Sequence, residues 1–227
     1  MNFASSNHEN TMSKEENTKQ GAGRARSITL LILDESGSMS SIAPTVVTTH
    51  QRMVQQILDE QRSIPDLQQL VSVWTFEGNH IRERIPLSEA SAQMLSLEYQ
   101  PLGNTPLYDA IGTAIGRVEG YLRGVETPSE IRVSVAVLTD GYENASRSFT
   151  REEIRRLVSR LRESGWEFSY YGADHDVESV AMELNFSDHL HIAKNVDGLN
   201  NFTEHYSVKE AQSKMDFMNK MFPNRDA

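Results

Sequence analysis

Two stretches of the chain are apolar almost without interruption, 27–33 (SITLLIL) and 131–138 (IRVSVAVL). Runs of this kind, lacking polar alternation, predict strands buried on both faces. Elsewhere the period changes. Val46, Val47, Met53, Val54, Ile57 and Leu58 recur at helical spacing over 43–62, with Pro44 near the start, where a helix tolerates it. Residues 70–76 are β-branched and aromatic, and 80–87 alternate Ile81, Ile85 and Leu87 with charged residues. Both predict strands, the second half-exposed. Glu77, Gly78 and Asn79 alone join them, and so short a link requires an antiparallel hairpin. Leu107, Ile111, Ala114, Ile115 and Val118 mark the apolar face of a helix over 105–123. Thr150 and Glu153 form a capping box that opens a helix over 150–163. Further on, 166–171 predict a strand ended by Gly172, 177–184 a short helix and 189–192 a short strand. A last helix over 199–221 loses its apolar stripe toward its end. The pattern contains no internal repeat. Strands alternating with helices predict an α/β fold with a mostly parallel sheet and helices on both faces.

The first 26 residues are polar and carry few large apolar side chains, too few to offset chain entropy, and predict a disordered tail, with a docking segment as the alternative. The chain thus divides into a tail over 1–26, one domain over 27–198 and a C-terminal helical extension over 199–227. A length of 227 residues suits one domain with a sizeable core. The net charge of -10 argues against nucleic acid as a partner, because phosphate binding needs a basic face. The absence of cysteine excludes disulfides and thiolate metal sites. No apolar window approaches a membrane span, and the N-terminus has no apolar signal region. A cytoplasmic protein without membrane contact is the expectation.

Candidate chemistry gathers in three segments. Asp34, Ser36 and Ser38 lie in LILDESGSMSS, Thr105 in PLGNTPLYDAIG and Asp140 in VAVLTDGYENAS. Asp34 and Asp140 each follow one of the two buried runs. Hydroxyls and carboxylates without Cys or His suit a hard cation, Mg²⁺ or Mn²⁺ ahead of Ca²⁺. Each residue also has a plainer role open to it. Ser36 and Ser38 can cap a helix beginning near Ile42. Thr105 can be the N-cap before Pro106, and Asp140 with Gly141 can form a turn. Asp109 reads as a first-turn charge favoured by the helix dipole. Glu35 and Glu143 read as solvated loop charges near the rim, and Met39 and Tyr142 as either an apolar rim or ordinary loop residues. His175 with Asp174 and Asp176, and His189 with His191, contain metal-ligating residue types, but the plain structural reading is favoured for both.

D-x-S-x-S after a strand, Thr in G-N-T-P before a helix, and T-D-G after a later strand resemble, in that order, the metal-ion-dependent adhesion site of the von Willebrand factor A domain. The resemblance covers about 28–192, and all five side chains of the motif are present. It implies a doubly wound, Rossmann-like, six-stranded sheet of order 3-2-1-4-5-6 with strand 3 antiparallel, in agreement with the hairpin. That order brings Asp34 and Asp140 together at the crevice where strand order reverses. It further implies that Ser36 and Ser38 bind the ion directly, Thr105 directly or through water, and Asp34 and Asp140 mainly through water or by holding the serines. The stretch EFSYYGADHDVESVAMELNF is similar to bacterial members of the family.

The resemblance implies a protein-interaction module whose ion takes an Asp or Glu carboxylate from a partner. In bacteria, soluble members of this kind work beside AAA+ ATPases or other operon-encoded proteins. The alternative is a Mg²⁺-dependent hydrolase such as a phosphatase. An aspartyl-phosphate enzyme wants a second Asp two residues after the nucleophile, and position 36 is Ser. The sequence also holds no phosphate-binding glycine loop and no G-x-S-x-G.

Overall fold

The structure is a computed structural model that describes residues 25–127 and 130–223. Six strands form one sheet among these residues: β1 (Ala25–Asp34), β2 (Leu67–Glu77), β3 (His80–Glu89), β4 (Ile131–Thr139), β5 (Glu167–Gly172) and β6 (Asp188–His191). Their order is β3-β2-β1-β4-β5-β6. All neighbours are parallel except β2 and β3, which form the expected hairpin. Five helices follow the expected positions: α1 (Ala43–Ser63), α2 (Leu107–Leu122), α3 (Arg151–Glu163), α4 (Val177–Glu183) and α5 (Val196–Met221). The expected tail falls on residues 1–24, outside the described residues, and on 25 and 26, which open β1 and pair with Leu67 and Gln68.

The uninterrupted apolar runs are explained by two cores, one on each sheet face. Ile28, Leu30 and Ile32 of β1 point into the core covered by α2, α3 and α4. Leu31 and Leu33 of the same strand point into the opposite core, covered by α1 and α5. β4 divides in the same way, with Val133, Val135 and Val137 on one side and Ala136 and Leu138 on the other. Alternating side chains therefore find apolar partners on both faces, and the polar Arg132 and Ser134 of β4 are buried where they meet Glu210 of α5. β3 lies at the edge, and it carries the half-exposed pattern and Pro86, which an edge strand accommodates. The Thr150–Glu153 capping box at the start of α3 is present as expected.

α5 departs from its expected pattern in two ways. It starts three residues early, at Val196, because the Asn195 side chain accepts the Gly198 N–H at 2.8 Å and caps it. Its buried stripe also continues to the end, through Leu199, Phe202, Tyr206, Glu210, Lys214 and Met218. The apolar pattern fades in the sequence because Glu210 and Lys214 are charged, yet each is only 2% exposed. Glu210 receives two Nη bonds from Arg132 of β4 at 3.0 Å each and the Ser134 hydroxyl at 2.6 Å. Lys214 reaches Glu60 of α1 at 2.6 Å. Burial opposes ionisation of Glu210, and Arg132 with Lys214 more than offsets it, holding the carboxyl below its usual range. Paired charge thus replaces apolar contact where α5 crosses the sheet.

Two predictions concern these buried groups. Glu210→Gln leaves the buried Arg132 guanidinium with the partly exposed Glu167, 2.8 Å away, as its remaining carboxylate and is expected to cost about 2 kcal/mol by denaturant melting; a cost under about 0.5 kcal/mol, the range of ordinary surface changes, contradicts the role given to the pair. His50 of α1 is 1% exposed and neither ring nitrogen has a hydrogen-bond partner. Burial lowers its pKa from 6.5 to about 4. Across that window the unfolded chain binds the extra proton, so stability falls as pH drops. Asp34, described below, has a raised pKa and acts in the opposite direction, so the test is a difference between variants. The stability gap between His50→Leu and the unmodified chain is expected to widen in favour of the variant by about 2 kcal/mol between about pH 7 and about pH 4.5. A gap independent of pH contradicts the neutral, buried imidazole.

Candidate metal centre

β1 and β4 lie side by side at the centre of the sheet, and their connections leave toward opposite edges. The carboxyl ends of these strands open onto the crevice where ligands lie in sheets of this kind. Asp34 ends β1 and is fully buried. Its Oδ2 accepts the Thr139 hydroxyl of β4 at 2.6 Å, and its Oδ1 accepts the Ser36 N–H at 2.7 Å. One carboxylate therefore joins the two central strands and turns the chain into the next loop. Burial pushes its pKa up to about 6; the Thr139 and Ser36 bonds pull it down, and the neighbouring Asp140 charge adds a smaller upward push.

Three of the five expected side chains form one line of contacts. The Ser36 and Ser38 hydroxyls lie 3.2 Å apart, and Ser38 donates to Asp140 Oδ1 at 2.6 Å. Ser36 starts a 3-10 turn over Gly37–Ile42, but its side chain caps nothing. Asp34 reaches this line through the Ser36 backbone. Thr105 enters from the loop before α2 and is buried, with its hydroxyl 3.7 Å from the place a Cβ on Gly141 would take. The structure thus gathers all five residues at one end of the sheet.

Thr105 is not the cap of α2. Pro106 occupies the N-cap position without a side-chain bond. The free N–H groups of the first turn are met from the loop after β4 instead: Glu143 accepts Tyr108 N–H at 3.0 Å and the Ser146 hydroxyl oxygen accepts Asp109 N–H at 3.0 Å. Asn144 holds the Thr105 backbone from both sides, accepting its N–H at 2.8 Å and donating its own N–H to its carbonyl at 3.1 Å. The helix is capped by other residues, so it makes no claim on the Thr105 hydroxyl.

Several neighbours differ from their sequence readings. Glu143 is no solvated charge; it also accepts the N–H groups of Ala145 and Ser146 at 2.8 and 2.6 Å. Asp109 does more than favour a helix dipole, since it accepts three consecutive N–H groups, from Arg147, Ser148 and Phe149, at 2.8 Å each. Glu35 is buried and takes two bonds at 2.9 Å from one Arg84 nitrogen, plus the Gln100 N–H. Its backbone bonds to Phe76 and Leu102 tie β1, β2 and the loop before Thr105 together. Met39 is fully buried in the core and forms no rim, because the 3-10 turn points it inward with Ile42. Tyr142 stays at the rim, 56% exposed, with its oxygen accepting the Asp176 N–H at 3.0 Å. Gly103 carries the tight approach in this region: φ is +71°, and a Cβ there would lie 3.2 Å from Gly78.

The histidines hold structural places. His175 faces the Ala173 carbonyl through Nδ1 at 2.6 Å and the Tyr170 hydroxyl through Nε2 at 3.0 Å, and burial lowers its pKa. His189 and His191 are exposed on one face of β6. Among the described residues no three His, Cys, Asp or Glu converge as a metal-ligating group. A donor set of hydroxyls and carboxylates is a different chemistry, and it suits a hard, hydrated cation. Asp140 supplies a direct sign of fit. Its side chain is 1% exposed, and its buried Oδ2 has no hydrogen-bond donor. Its charge partner is Lys194, whose Nζ lies 2.5 Å away but outside hydrogen-bond geometry. Asn144, Thr139 and Lys194 are not legible as site residues in the sequence, and Glu143 is legible there only as a charge near the rim. They act on backbone groups or across long sequence separations, which no local spacing records.

Comparison with known proteins agrees with this geometry at the level of fold. No curated protein matches the chain by sequence. Solved structures that resemble it include proximal thread matrix protein 1 from the mussel byssus, at 19% identity and a TM-score of 0.56, covering 81% of this chain and 45% of that one. The SpRpn10 VWA domain matches at 13% identity and 0.57, covering 77% and 94%. The pilus adhesin SpaC of Lactobacillus rhamnosus GG matches at 15% and 0.58, covering 89% and 31%. The chain therefore spans less than half the length of the byssus protein and of the adhesin. The family model for the von Willebrand factor type A domain matches residues 30–210, and the chain belongs to that family.

Proposed function

We propose that this domain is a protein-interaction module that binds a partner carboxylate through a divalent ion held by Ser36, Ser38 and Thr105, with Asp34 and Asp140 behind them. One observation carries the reading: the Ser36–Ser38–Asp140 line of contacts lies beside a Thr105 whose helix is capped by other residues. When bound, the ion supplies an electrophilic position to a carboxylate. The chain's own residues set how electrophilic that position stays. Three hydroxyls bring no formal charge. Asp34 is occupied by Thr139 and the Ser36 N–H, and Asp140 by Ser38, so both carboxylates also hold the serines in place. Mg²⁺ or Mn²⁺, which retain several waters, match such a site. Tyr142 and Leu102, 56% and 68% exposed, offer apolar contact beside it.

The proposal places the domain in an intracellular bacterial complex, with an AAA+ ATPase or an operon neighbour as the class of partner. Support for that setting is the resemblance of residues 167–186 to bacterial members. Among the described residues no helix is long and apolar enough to cross a membrane. Catalysis is not part of the proposal, because Ser36 stands where an aspartyl-phosphate enzyme needs its acid.

Calorimetry with Mg²⁺ and Mn²⁺ is expected to show one site, weakened about 10–100-fold in Ser38→Ala and Thr105→Ala. Undiminished binding in both variants removes the site. A carboxylate bridge buried at an interface is worth several kcal/mol. Partner recovered on immobilised domain is therefore expected to be released by EDTA and by Thr105→Ala, with unchanged circular dichroism. Equal retention in excess EDTA points to recognition by another face.

A further inference from the structure

We infer that Lys194 is a tethered competitor for the ion's place: its ammonium neutralises Asp140 when no metal is bound and must be displaced when metal binds. The inference rests on the metal reading above. Lys194 Nζ lies 2.5 Å from Asp140 Oδ2 and 3.7 Å from Asp174 Oδ2. The other carboxylates at the crevice are satisfied without it. Glu35 is held by Arg84, and both Asp34 oxygens accept hydrogen bonds. Asp140 Oδ1 is taken by Ser38, so Oδ2 is the oxygen left for a cation. Among the described residues Lys194 is the cation paired with it.

The lysine is delivered by a fixed turn. On its N-terminal side Ile192 is buried, and its N–H donates to the Gly172 carbonyl at 2.8 Å. On its C-terminal side Asn195 caps α5. Gly198 lets the chain close, since a Cβ there would lie 1.9 Å from the Ala193 carbonyl oxygen. The ammonium is thus held near Asp140 at a high effective concentration set by the chain and not by the solution. The contact is a close ion pair without an aligned hydrogen bond, so it lacks the directional part of a charge-assisted bond. A small hard cation with no directional donor suits that oxygen better. Competition by Lys194 keeps metal affinity low, so that ion and partner carboxylate bind best together.

The test is metal affinity in Lys194→Met, with Lys194→Gln as a second variant that keeps a polar tip if Met perturbs folding. Both are measured beside the unmodified chain with Mg²⁺ and Mn²⁺ by calorimetry and thermal shift. Binding at least about tenfold tighter in both variants is expected, the order of gain when a competing tethered group is removed. Without metal, in EDTA, the variants are expected to melt below the unmodified chain, and saturating Mg²⁺ is expected to close that gap. Unchanged affinity, with the unmodified chain binding metal, overturns the inference and leaves the metal site standing. Weaker binding in the variants also overturns it, since it makes Lys194 a positioning residue for Asp140. Absence of metal binding in all three proteins overturns both readings.

Discussion

The Asp34 carboxylate is the constraint around which the rest of the crevice is arranged. Fully buried, it spans from β1 to the Thr139 hydroxyl of β4 and to the Ser36 N–H of the following loop. A buried charge without donors would cost several kcal/mol, so the loop must present the Ser36 amide and β4 must end beside β1. Those two requirements set where Ser36, Ser38 and Asp140 lie. The raised pKa of Asp34, pushed to about 6 chiefly by burial, shows that its donors only partly offset desolvation. A cation at the crevice would relieve the remainder.

A second layer of acids, Glu35 and Asp109 buried and Glu143 half-buried, holds the loops around that centre. Glu35 joins β1 to the loop before Thr105, Asp109 gathers three amides of the loop after β4, and Glu143 caps α2 from that same loop. Carboxylates accepting several N–H groups make short, strong bonds. The three loops are thereby tied to each other as well as to the sheet, so the Thr105 hydroxyl has a fixed place although its loop has no regular structure. At the opposite end of the sheet, Arg132, Glu210, Lys214 and Glu60 perform a similar service, fastening α5 across β4 and α1.

The fold is legible in the sequence because each of its determinants is local along the chain. Continuous apolar runs marked β1 and β4, the three-residue link fixed the β2–β3 hairpin, and the capping box placed the start of α3. The five oxygen-bearing residues were legible as a set because three separated segments each ended or began an element. Chemistry between elements leaves no such local trace. Glu210 and Lys214 looked like the fading of a helix face, yet their partners sit on β4 and α1. Glu35 and Glu143 read as solvated charges and Asp109 as a helix-dipole charge, because a residue's own neighbours do not reveal the backbone amides that fold onto it. Lys194 lies more than fifty residues from Asp140 and inside no motif, so nothing local connects them.

The central claim is that the Asp34-ordered crevice holds a divalent ion on hydroxyl oxygens. Crystals of the protein soaked in Mn²⁺ and measured at the manganese absorption edge test it most directly. The account predicts one strong anomalous peak, bounded by the hydroxyls of Ser36, Ser38 and Thr105, with Lys194 turned away from Asp140. A peak elsewhere, or none in the crevice at saturating Mn²⁺ with Lys194 still seated against Asp140, would contradict it.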